Sequence, residues 1–302
     1  MRTLLTGGSA CGKSSLAEAL TDRLAGPKLY IATMRPYGPE SLEKITLHQR
    51  ARSHRGFCTV ECYDRLTDKA LPPCEVILLE CICNLAANQM FSNQGPVQNI
   101  DYVYEHILSD IRYLERQCKH LFAVTNEVGS DLNCYSQETR RYIALMGLIN
   151  RVLAARFERV IELVCGIPIT HKGRLPSVES NGERSHMRLI IGPASSGKRT
   201  YVQQLGYHSS DMADGILDHH TVLYNLQDLV AQDPMHSESL LPDLLQKEVV
   251  ICNEVGSGII PENYHQRITR EQTGRLCTVL ARHAKQVIRL VCGIPIVLKQ
   301  MK

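Results

Sequence analysis

The stretch Gly7-Gly8-Ser9-Ala10-Cys11-Gly12-Lys13-Ser14-Ser15 decides the fold, because it matches G-x-x-x-x-G-K-[ST] at every fixed position. In such a loop, glycines let backbone N–H groups turn inward around phosphate oxygens. The lysine reaches the β- and γ-phosphates, and the next hydroxyl ligates Mg²⁺. The flanking sequence predicts a strand over residues 2–6 and an amphipathic helix over 14–24. The chain is therefore predicted to bind a nucleoside triphosphate near Lys13.

Strands and helices alternate after this loop. Strands are predicted over 28–33, 58–61, 75–81, 121–125, 160–164 and 167–171, and helices over 39–52, 83–92, 99–118 and 136–157. The almost unbroken apolar run at 75–81 is typical of a parallel strand covered on both faces. The pattern predicts an α/β, P-loop NTPase-like three-layer fold with a mostly parallel sheet.

Length and composition limit the class of protein. The 302 residues suggest about two domains, and 44% apolar content is that of a globular protein with a real core. A net charge of +3 is too small to indicate nucleic acid as a partner. We expect no membrane span and a cytoplasmic location, since no apolar run reaches about 18 residues and the cysteines fit reduced core positions.

The chain contains an internal repeat. A second phosphate loop runs from Gly192 to Lys198 after a polar linker, and two downstream motifs recur. The motifs are Asn126-Glu127-Val128-Gly129-Ser130, repeated at 253–257, and Val164-Cys165-Gly166-Ile167-Pro168-Ile169, repeated at 291–296. Both motifs are offset by 127 residues and the loop lysines by 185, so the second copy lacks 58 residues (185 − 127). This predicts a complete unit over 1–172, a linker over 173–186 and a shortened, degenerate repeat over 187–302. The missing residues should include strand two, the helix at 39–52 and the strand at 75–81.

Polar side chains are predicted at the carboxyl ends of the strands, where open α/β sheets bind ligands. They include Thr33, Glu61 and Glu80. Glu80 is placed to hold Mg²⁺ together with the Ser14 hydroxyl. The alternative is that Glu80 is only a favourable charge at a helix N-terminus.

His48 is the candidate nucleophile. Lys44 and Arg52 stand four residues to either side of it, so all three share one helix face. Two nearby cations favour a neutral, nucleophilic imidazole and attract phosphate. The alternative is a solvated basic face.

Several stretches together resemble the family of bifunctional adenosylcobinamide kinases / adenosylcobinamide-phosphate guanylyltransferases. They are Thr6-Gly7-Gly8 with Gly12-Lys13-Ser14, Leu29-Tyr30-Ile31-Ala32-Thr33, Lys44-Ile45-x-x-His48, Thr59-x-Glu61, Ile77-Leu78-Leu79-Glu80-Cys81, Asn88 and Val124-Thr125-Asn126-Glu127-Val128-Gly129. They follow the family order across residues 1–172.

The resemblance implies an enzyme of cobalamin biosynthesis or salvage with two activities. One phosphorylates adenosylcobinamide with ATP or GTP, and the other transfers GMP from GTP to adenosylcobinamide phosphate through a guanylyl-histidine at His48. The implied cofactor is Mg²⁺, held by Ser14 and Glu80. The implied nucleotide contacts are Gly7, Gly8, Ser9, Ala10, Cys11, Gly12, Lys13, Ser14, Thr33, Met34, Arg35, Gln49, Arg50, Ala51, Arg52, Glu61 and Glu80. The implied assembly is a homo-oligomer.

The two copies depart from the family pattern at different places. The first copy lacks the family's Gly-Ile-Val-Pro-Glu-like run, which the second keeps at 258–262 together with Gly274-Arg275. The second copy has Arg199 where the Mg²⁺-ligating hydroxyl belongs and no counterpart of the His48 helix. The second repeat is therefore predicted to act as a pseudo-subunit that completes the first, or else only to stabilise it. Kinase activity alone, a non-catalytic nucleotide-binding or regulatory protein, and a P-loop enzyme for another hydroxyl or phosphate stay open.

Overall fold

Two separate β-sheets, one in each half of the chain, organise the fold of this computed structural model. The structure describes residues 1–36, 38, 41–42, 45–46, 49–50, 54–92, 95–96, 99–131, 134–175 and 185–301. The helix predicted over 39–52 falls partly outside these residues. The predicted α/β class with mostly parallel sheets is confirmed.

The first sheet has seven strands. In chain order they are β1 (Arg2–Gly7), β2 (Lys28–Ala32), β3 (Phe57–Glu61), β4 (Val76–Glu80), β7 (His120–Val124), β8 (Arg159–Val164) and β9 (Ile167–Lys172), with a small separate hairpin of β5 (Phe91–Ser92) and β6 (Gly95–Pro96). The spatial order is β3-β2-β4-β7-β1-β8-β9, and only β9 runs antiparallel to its neighbour. The phosphate loop follows β1, so it emerges near the middle of the sheet.

Helices cover both faces of this sheet. They are α1 (Lys13–Asp22), α2 (Ile82–Met90), α3 (Ile100–Gln117) and α4 (Gln137–Arg156). Successive strand residues point to opposite faces, so Leu78 packs with α1 while Leu79 packs in the core formed with α2, α3 and α4. The two long helices begin at polar caps, since Asn99 and Ser136 accept hydrogen bonds from backbone N–H groups of the first turn.

The second sheet repeats the first with six strands. They are β10 (Arg188–Gly192), β11 (Met212–Asp214), β12 (Val222–Tyr224), β13 (Val249–Asn253), β14 (Gln286–Val291) and β15 (Ile294–Gln300). The order β11-β12-β13-β10-β14-β15 places β10 at the position of β1. Its helices are α5 (Lys198–Gln204), α6 (Leu226–Gln232), α7 (Leu241–Leu244) and α8 (Tyr264–His283), with 3₁₀ turns at Ser209–Asp211 and Pro234–Leu240.

The expected loss of strand two and of the Glu80 strand from the second repeat is wrong. β11 and β12 occupy those two positions, each shortened to three residues. Among the described residues, only the outermost position, that of β3, has no counterpart in the second sheet. An edge strand is the one that a sheet can lose without breaking a pairing on both sides, which explains which strand is missing.

Hydrogen bonds and ion pairs join the two repeats. The Ser9 N–H in the first phosphate loop donates to the Gly256 carbonyl oxygen at 2.8 Å, and the Ser130 N–H donates to the Ser257 carbonyl oxygen at 3.0 Å. Arg289 bridges the repeats, with its guanidinium 2.8 Å from the carboxylate of Glu162. The first phosphate loop therefore lies against the second repeat.

In the described part of the chain, no helix combines the length and the apolar character needed to cross a membrane. All twelve cysteines are free thiols.

Candidate functional site

A cavity of about 460 Å³ opens at the carboxyl ends of the central strands of the first sheet. Its walls come from the phosphate loop, the strand ends and the second repeat. The lining residues are Ser9, Ala10, Cys11, Gly12, Lys13, Ser14, Ser15, Glu18, Tyr30, Ala32, Thr33, Met34, Ile45, Gln49, Thr59, Glu61, Tyr63, Glu80, Cys81, Asn84, Val124, Asn126, Ile260, Glu271 and Arg275. The volume is that of a small-molecule site.

The phosphate loop has the geometry of an anion site. Gly12 has φ +93°, a left-handed conformation that favours glycine, and it leads directly into α1, whose first N–H groups have no side-chain cap. A helix N-terminus of this kind attracts phosphate. The Lys13 ammonium is buried and donates to the carbonyl oxygens of Gly7, at 3.2 Å, and of Gly8. It therefore already lies over the loop.

Ser14 and Glu80 meet at the floor of the cavity. The Ser14 hydroxyl donates to the Glu80 carboxylate, which also accepts from the Tyr30 hydroxyl at 2.9 Å. Thr33 holds the end of this strand, because its hydroxyl donates to the Glu80 backbone carbonyl at 2.9 Å. A hydroxyl and a carboxylate side by side at a phosphate loop are the kind of oxygen ligands that would hold Mg²⁺.

Polar groups also line the cavity at the end of β3, away from the loop. The Tyr63 hydroxyl donates to the Glu61 carboxylate at 2.6 Å. Burial and this contact with Glu61 raise the pKa of Tyr63 to about 12, so its hydroxyl stays protonated at neutral pH. Gln49 and Thr59 also line the cavity.

The predicted site residues fall into three groups. Ser9, Ala10, Cys11, Gly12, Lys13, Ser14, Thr33, Met34, Gln49, Glu61 and Glu80 line the cavity. Gly7 and Gly8 do not line the cavity, but their carbonyl oxygens accept hydrogen bonds from Lys13. Arg35 and Arg50 do not line the cavity either, and Arg35 pairs with Asp64 at 2.5 Å. His48, Ala51 and Arg52 lie outside the described residues.

Cys11 in the loop is buried, and its thiol is 3.7 Å from the Lys13 ammonium. Burial raises the pKa of this thiol above its ordinary 9.0, although Lys13 acts in the opposite direction. Cys11 is therefore a neutral thiol rather than a reactive thiolate at pH 7.

The second repeat contributes Ile260, Glu271 and Arg275 to the cavity. Ile260 belongs to the run predicted to complete the site, Arg275 was named only as part of a family-like Gly-Arg pair, and Glu271 was not assigned. A signal was present in the repeat itself. The 127-residue offset places Ala144 and Leu148 opposite Glu271 and Arg275, so the two charges occur in one copy only.

The second phosphate loop carries different side chains. Strand register places Tyr224 at the position of Glu80. Leu223 pairs with Val250 as Leu79 pairs with Ala123, and Tyr224 and Glu80 are the next residues. Arg199, at the position of Ser14, stacks over the Tyr224 ring at 5.5 Å. An arginine and a tyrosine thus replace the hydroxyl and carboxylate, so this pair offers no carboxylate to hold Mg²⁺ and adds a positive charge.

Comparisons with known proteins agree on one family. A family model described as cobinamide kinase / cobinamide phosphate guanyltransferase matches residues 3–171 and 215–298, which make up most of the chain.

Among curated relatives, the bifunctional adenosylcobalamin biosynthesis protein CobU of Escherichia coli is 33% identical over 183 residues, and that of Salmonella typhimurium 34% over 183. Each alignment covers 57% of this chain and 100% of the relative. The bifunctional adenosylcobalamin biosynthesis protein CobP of Pseudomonas aeruginosa is 30% identical over 176 residues, 57% of this chain and 98% of its own. Among solved structures, an isoflavone reductase covers 90% of this chain and 88% of its own at a TM-score of 0.27 and 10% identity, too distant to bear on the fold.

Proposed function

Because this chain belongs to the cobinamide kinase / cobinamide phosphate guanyltransferase family, we propose that it is a bifunctional enzyme of cobalamin biosynthesis or salvage. It phosphorylates adenosylcobinamide with ATP or GTP and transfers GMP from GTP to adenosylcobinamide phosphate. The observation that carries the proposal is the cavity, where an intact phosphate loop, the Ser14–Glu80 pair and polar strand ends face one space.

The nucleotide lies with its phosphates on the loop and α1. Lys13 exchanges its bonds to the Gly7 and Gly8 carbonyl oxygens for phosphate oxygens, which costs little because the ammonium already lies over the loop. The remaining contacts come from Thr33, Met34 and Gln49 in the cavity wall. Arg35, Arg50, Ala51 and Arg52 stay in the proposal on family resemblance, and Arg35 would first have to leave Asp64.

Ser14 and Glu80 would hold Mg²⁺, whose oxygen-ligand preference they fit. Held there, Mg²⁺ would supply positive charge that offsets the negative charge developing in phosphoryl transfer. Tyr30 and Thr33 fix Glu80 in place through its carboxylate and its backbone carbonyl. Preorganised ligands of this kind need no rearrangement when the triphosphate arrives.

Two transfers share the site. In the kinase step, a substrate hydroxyl forms a bond to the γ-phosphorus, the bond to the β,γ-bridging oxygen breaks, and the nucleoside diphosphate leaves. In the second reaction, an imidazole nitrogen of His48 attacks the α-phosphorus of GTP and pyrophosphate leaves. A phosphate oxygen of adenosylcobinamide phosphate then displaces the imidazole.

The second repeat, residues 187–302, is proposed as a pseudo-subunit that completes this site across the linker 173–186. The supporting contacts are the Ser9–Gly256 hydrogen bond and the three side chains that the repeat contributes to the cavity. Ile260 belongs to the Gly-x-x-Pro-Glu run that the first copy lacks, so its place in the wall weighs against the kinase-only alternative. Association of whole chains into a homo-oligomer stays a prediction, which analytical ultracentrifugation tests.

The test of guanylyl transfer is a covalent label. Incubation with α-labelled GTP and Mg²⁺ should give an acid-labile, protein-bound label in the wild type and in His54→Ala, and none in His48→Ala. His54 is an exposed histidine six residues away, so it controls for a general effect of histidine removal. A label that persists in His48→Ala would exclude His48 as the nucleophile. No label in nucleotide-binding wild type would leave kinase activity alone, which turnover of adenosylcobinamide then measures.

A further inference from the structure

Helix α8 of the second repeat lies directly against the first phosphate loop. A Cβ atom built on Gly274 would lie 2.9 Å from the Ser9 carbonyl oxygen and 3.0 Å from the Ala10 Cβ. Such distances leave no room for a side chain, so the two backbones meet at this glycine. Arg275 is the next residue and lines the cavity with Lys13.

The segment that carries Arg275 is fixed by a buried arginine. The Arg270 guanidinium donates to the carbonyl oxygens of Gly256 at 2.6 Å, Gly258 at 2.8 Å and Ile259 at 2.5 Å. It therefore ties α8 to the turn whose Gly256 carbonyl accepts from Ser9 of the loop. Helix, turn and loop form one connected unit, so Arg275 keeps a defined position relative to the phosphates.

The Arg275 side chain is available at the cavity. It is 44% exposed, and its guanidinium lies 2.6 Å from the Glu271 carboxylate, one helical turn earlier. Glu271 is 16% exposed and also lines the cavity. A guanidinium has five N–H donors in a fixed arrangement, and one carboxylate can accept hydrogen bonds from only some of them. Donors are left for phosphate oxygens.

The repeat comparison shows that this cation accompanies only the complete loop. At the corresponding positions of α4, Leu148 replaces Arg275, Ala144 replaces Glu271 and Ile143 replaces Arg270. The second loop has Arg199 in place of the Mg²⁺-ligating hydroxyl. Each repeat has thus lost the half of the site that the other has kept, and one full set of groups remains, between the first loop and α8.

We propose that Arg275 is a catalytic residue that binds the γ-phosphate of the nucleotide on the first loop, and that Glu271 is a positioning residue that orients its guanidinium. The inference rests on the proposed nucleotide site. Helix α8 contacts Ser9 and Ala10, which follow directly after Gly7 and Gly8, the residues whose carbonyl oxygens bind the Lys13 ammonium. In loops of this type the lysine reaches the β- and γ-phosphates.

The role is electrostatic. As the acceptor hydroxyl bonds to the γ-phosphorus and the bond to the β,γ-bridging oxygen breaks, the leaving diphosphate keeps the electron pair and the hydroxyl proton passes to solvent. The guanidinium donates hydrogen bonds to the γ-phosphate oxygens and transfers no proton. An arginine of this kind, supplied by another domain, contributes about 10³–10⁵ in kcat in well-studied phosphoryl-transfer systems.

The test compares the affinities of the full-length protein for GTP and GDP with Mg²⁺, by equilibrium dialysis, in wild type, Arg275→Ala, Arg275→Lys, Glu271→Gln and Arg282→Ala. Arg282 is an exposed arginine on the same helix and serves as the matched control. Arg275→Ala should weaken GTP at least tenfold and leave GDP unchanged, because GDP has no γ-phosphate. Arg275→Lys should retain part of the preference for GTP, and Arg282→Ala all of it. Glu271→Gln should retain most of the preference for GTP and lower kcat about tenfold.

An unchanged preference for GTP over GDP in Arg275→Ala overturns the inference, as does an equal loss of both affinities, which marks a structural role. Binding is measured without the corrinoid, so this outcome is independent of the proposed reaction. If the wild type binds GTP but does not phosphorylate adenosylcobinamide, the proposed function fails and the binding comparison still decides on Arg275. In an active enzyme, Arg275→Ala should also lower kcat at least 100-fold with little change in the KM for adenosylcobinamide.

Discussion

The two phosphate loops of this chain have the same backbone conformation but different neighbouring side chains. Gly12 and Gly197 have φ of +93° and +88°, and each introduces a helix whose first lysine donates back to loop carbonyl oxygens. The first loop adjoins Ser14 and Glu80 and touches α8, whereas the second adjoins Arg199 and Tyr224. The strand-to-helix connection keeps the same loop shape beside two different sets of side chains, so a phosphate-loop pattern alone does not identify a working site.

The largest difference between the loops should appear on removing their lysines. Lys13→Gln should lower turnover on the order of 10²–10³-fold, because a preorganised donor to the transferring phosphate is lost. Lys198→Gln, which removes the matching bonds to Gly192 and Pro193, should leave turnover near the wild-type value. Steady-state kinetics measure both, with melting temperatures to confirm folding. Equal losses would mean that both loops take part in the reaction.

The ion network between the repeats should make the next largest contribution. Arg289 contacts Glu162 at 2.8 Å and Glu254 at 3.0 Å, and all three side chains are largely buried. Arg289→Met leaves two carboxylates without their cation, and removing one partner of a buried pair costs about 3 kcal/mol. Urea unfolding at pH 7.5 measures the loss of stability.

The same variant has a defined pH dependence. Burial already raises the pKa of Glu254 above its ordinary 4.5 in the folded protein, and loss of Arg289 raises it further. An acid whose folded pKa is raised stabilises the fold in its protonated form, and that contribution is lost as pH rises through the folded pKa. The destabilisation by Arg289→Met should therefore be smaller near pH 5 than at pH 7.5. A cost that grows towards acid pH would contradict this assignment.

A matched pair of glycines tests the contact of α8 with the loop. A Cβ on Gly274 would meet Ser9 and Ala10, whereas a Cβ on Gly147, its counterpart on α4, would meet nothing within 4 Å. Gly147→Ala should stabilise the protein by up to about 1 kcal/mol through helix propensity. Gly274→Ala should displace α8 and lower turnover about tenfold, since small misplacements at reacting groups are costly. Identical effects of the two substitutions would show that the contact is unimportant.

The smallest effect is expected at Cys11. Ser196 occupies the same place in the second loop, 3.4 Å from Lys198, so a hydroxyl fits this environment. Cys11→Ser should change stability by less than about 1 kcal/mol and leave turnover similar. In the wild type, iodoacetamide at pH 7 should modify exposed Cys58, Cys134 and Cys292 before Cys11, because burial keeps the Cys11 thiol protonated. Peptide mass spectrometry measures the order of modification.

The sequence predicted the centre of the first sheet well because β1, β4 and β7 are distinct apolar runs. The predicted strand at 75–81 is β4 (Val76–Glu80), whose first four residues are buried. The sequence did not predict β11 and β12, because three residues are too few to show an alternation of apolar and polar side chains. The position of β12 is set by its pairing with β13. The motif predicts the roles of Lys13 and Ser14, and the strand order predicts that of Glu80. Glu271 and Arg275 were not assigned because their contact depends on how the two repeats pack.

The hydrogen bond between Ser9 and Gly256 joins two parts of a single chain, and this has a consequence for how the site stays assembled. A catalytic centre divided between separate molecules disassembles on dilution, whereas tethering makes the encounter intramolecular, with an effective concentration that reaches the millimolar range for short flexible linkers. The polar connection over 173–186 is short, with fourteen residues. Specific activity should therefore stay constant as the enzyme is diluted, which lets a cell with few copies of this protein keep every one of them assembled.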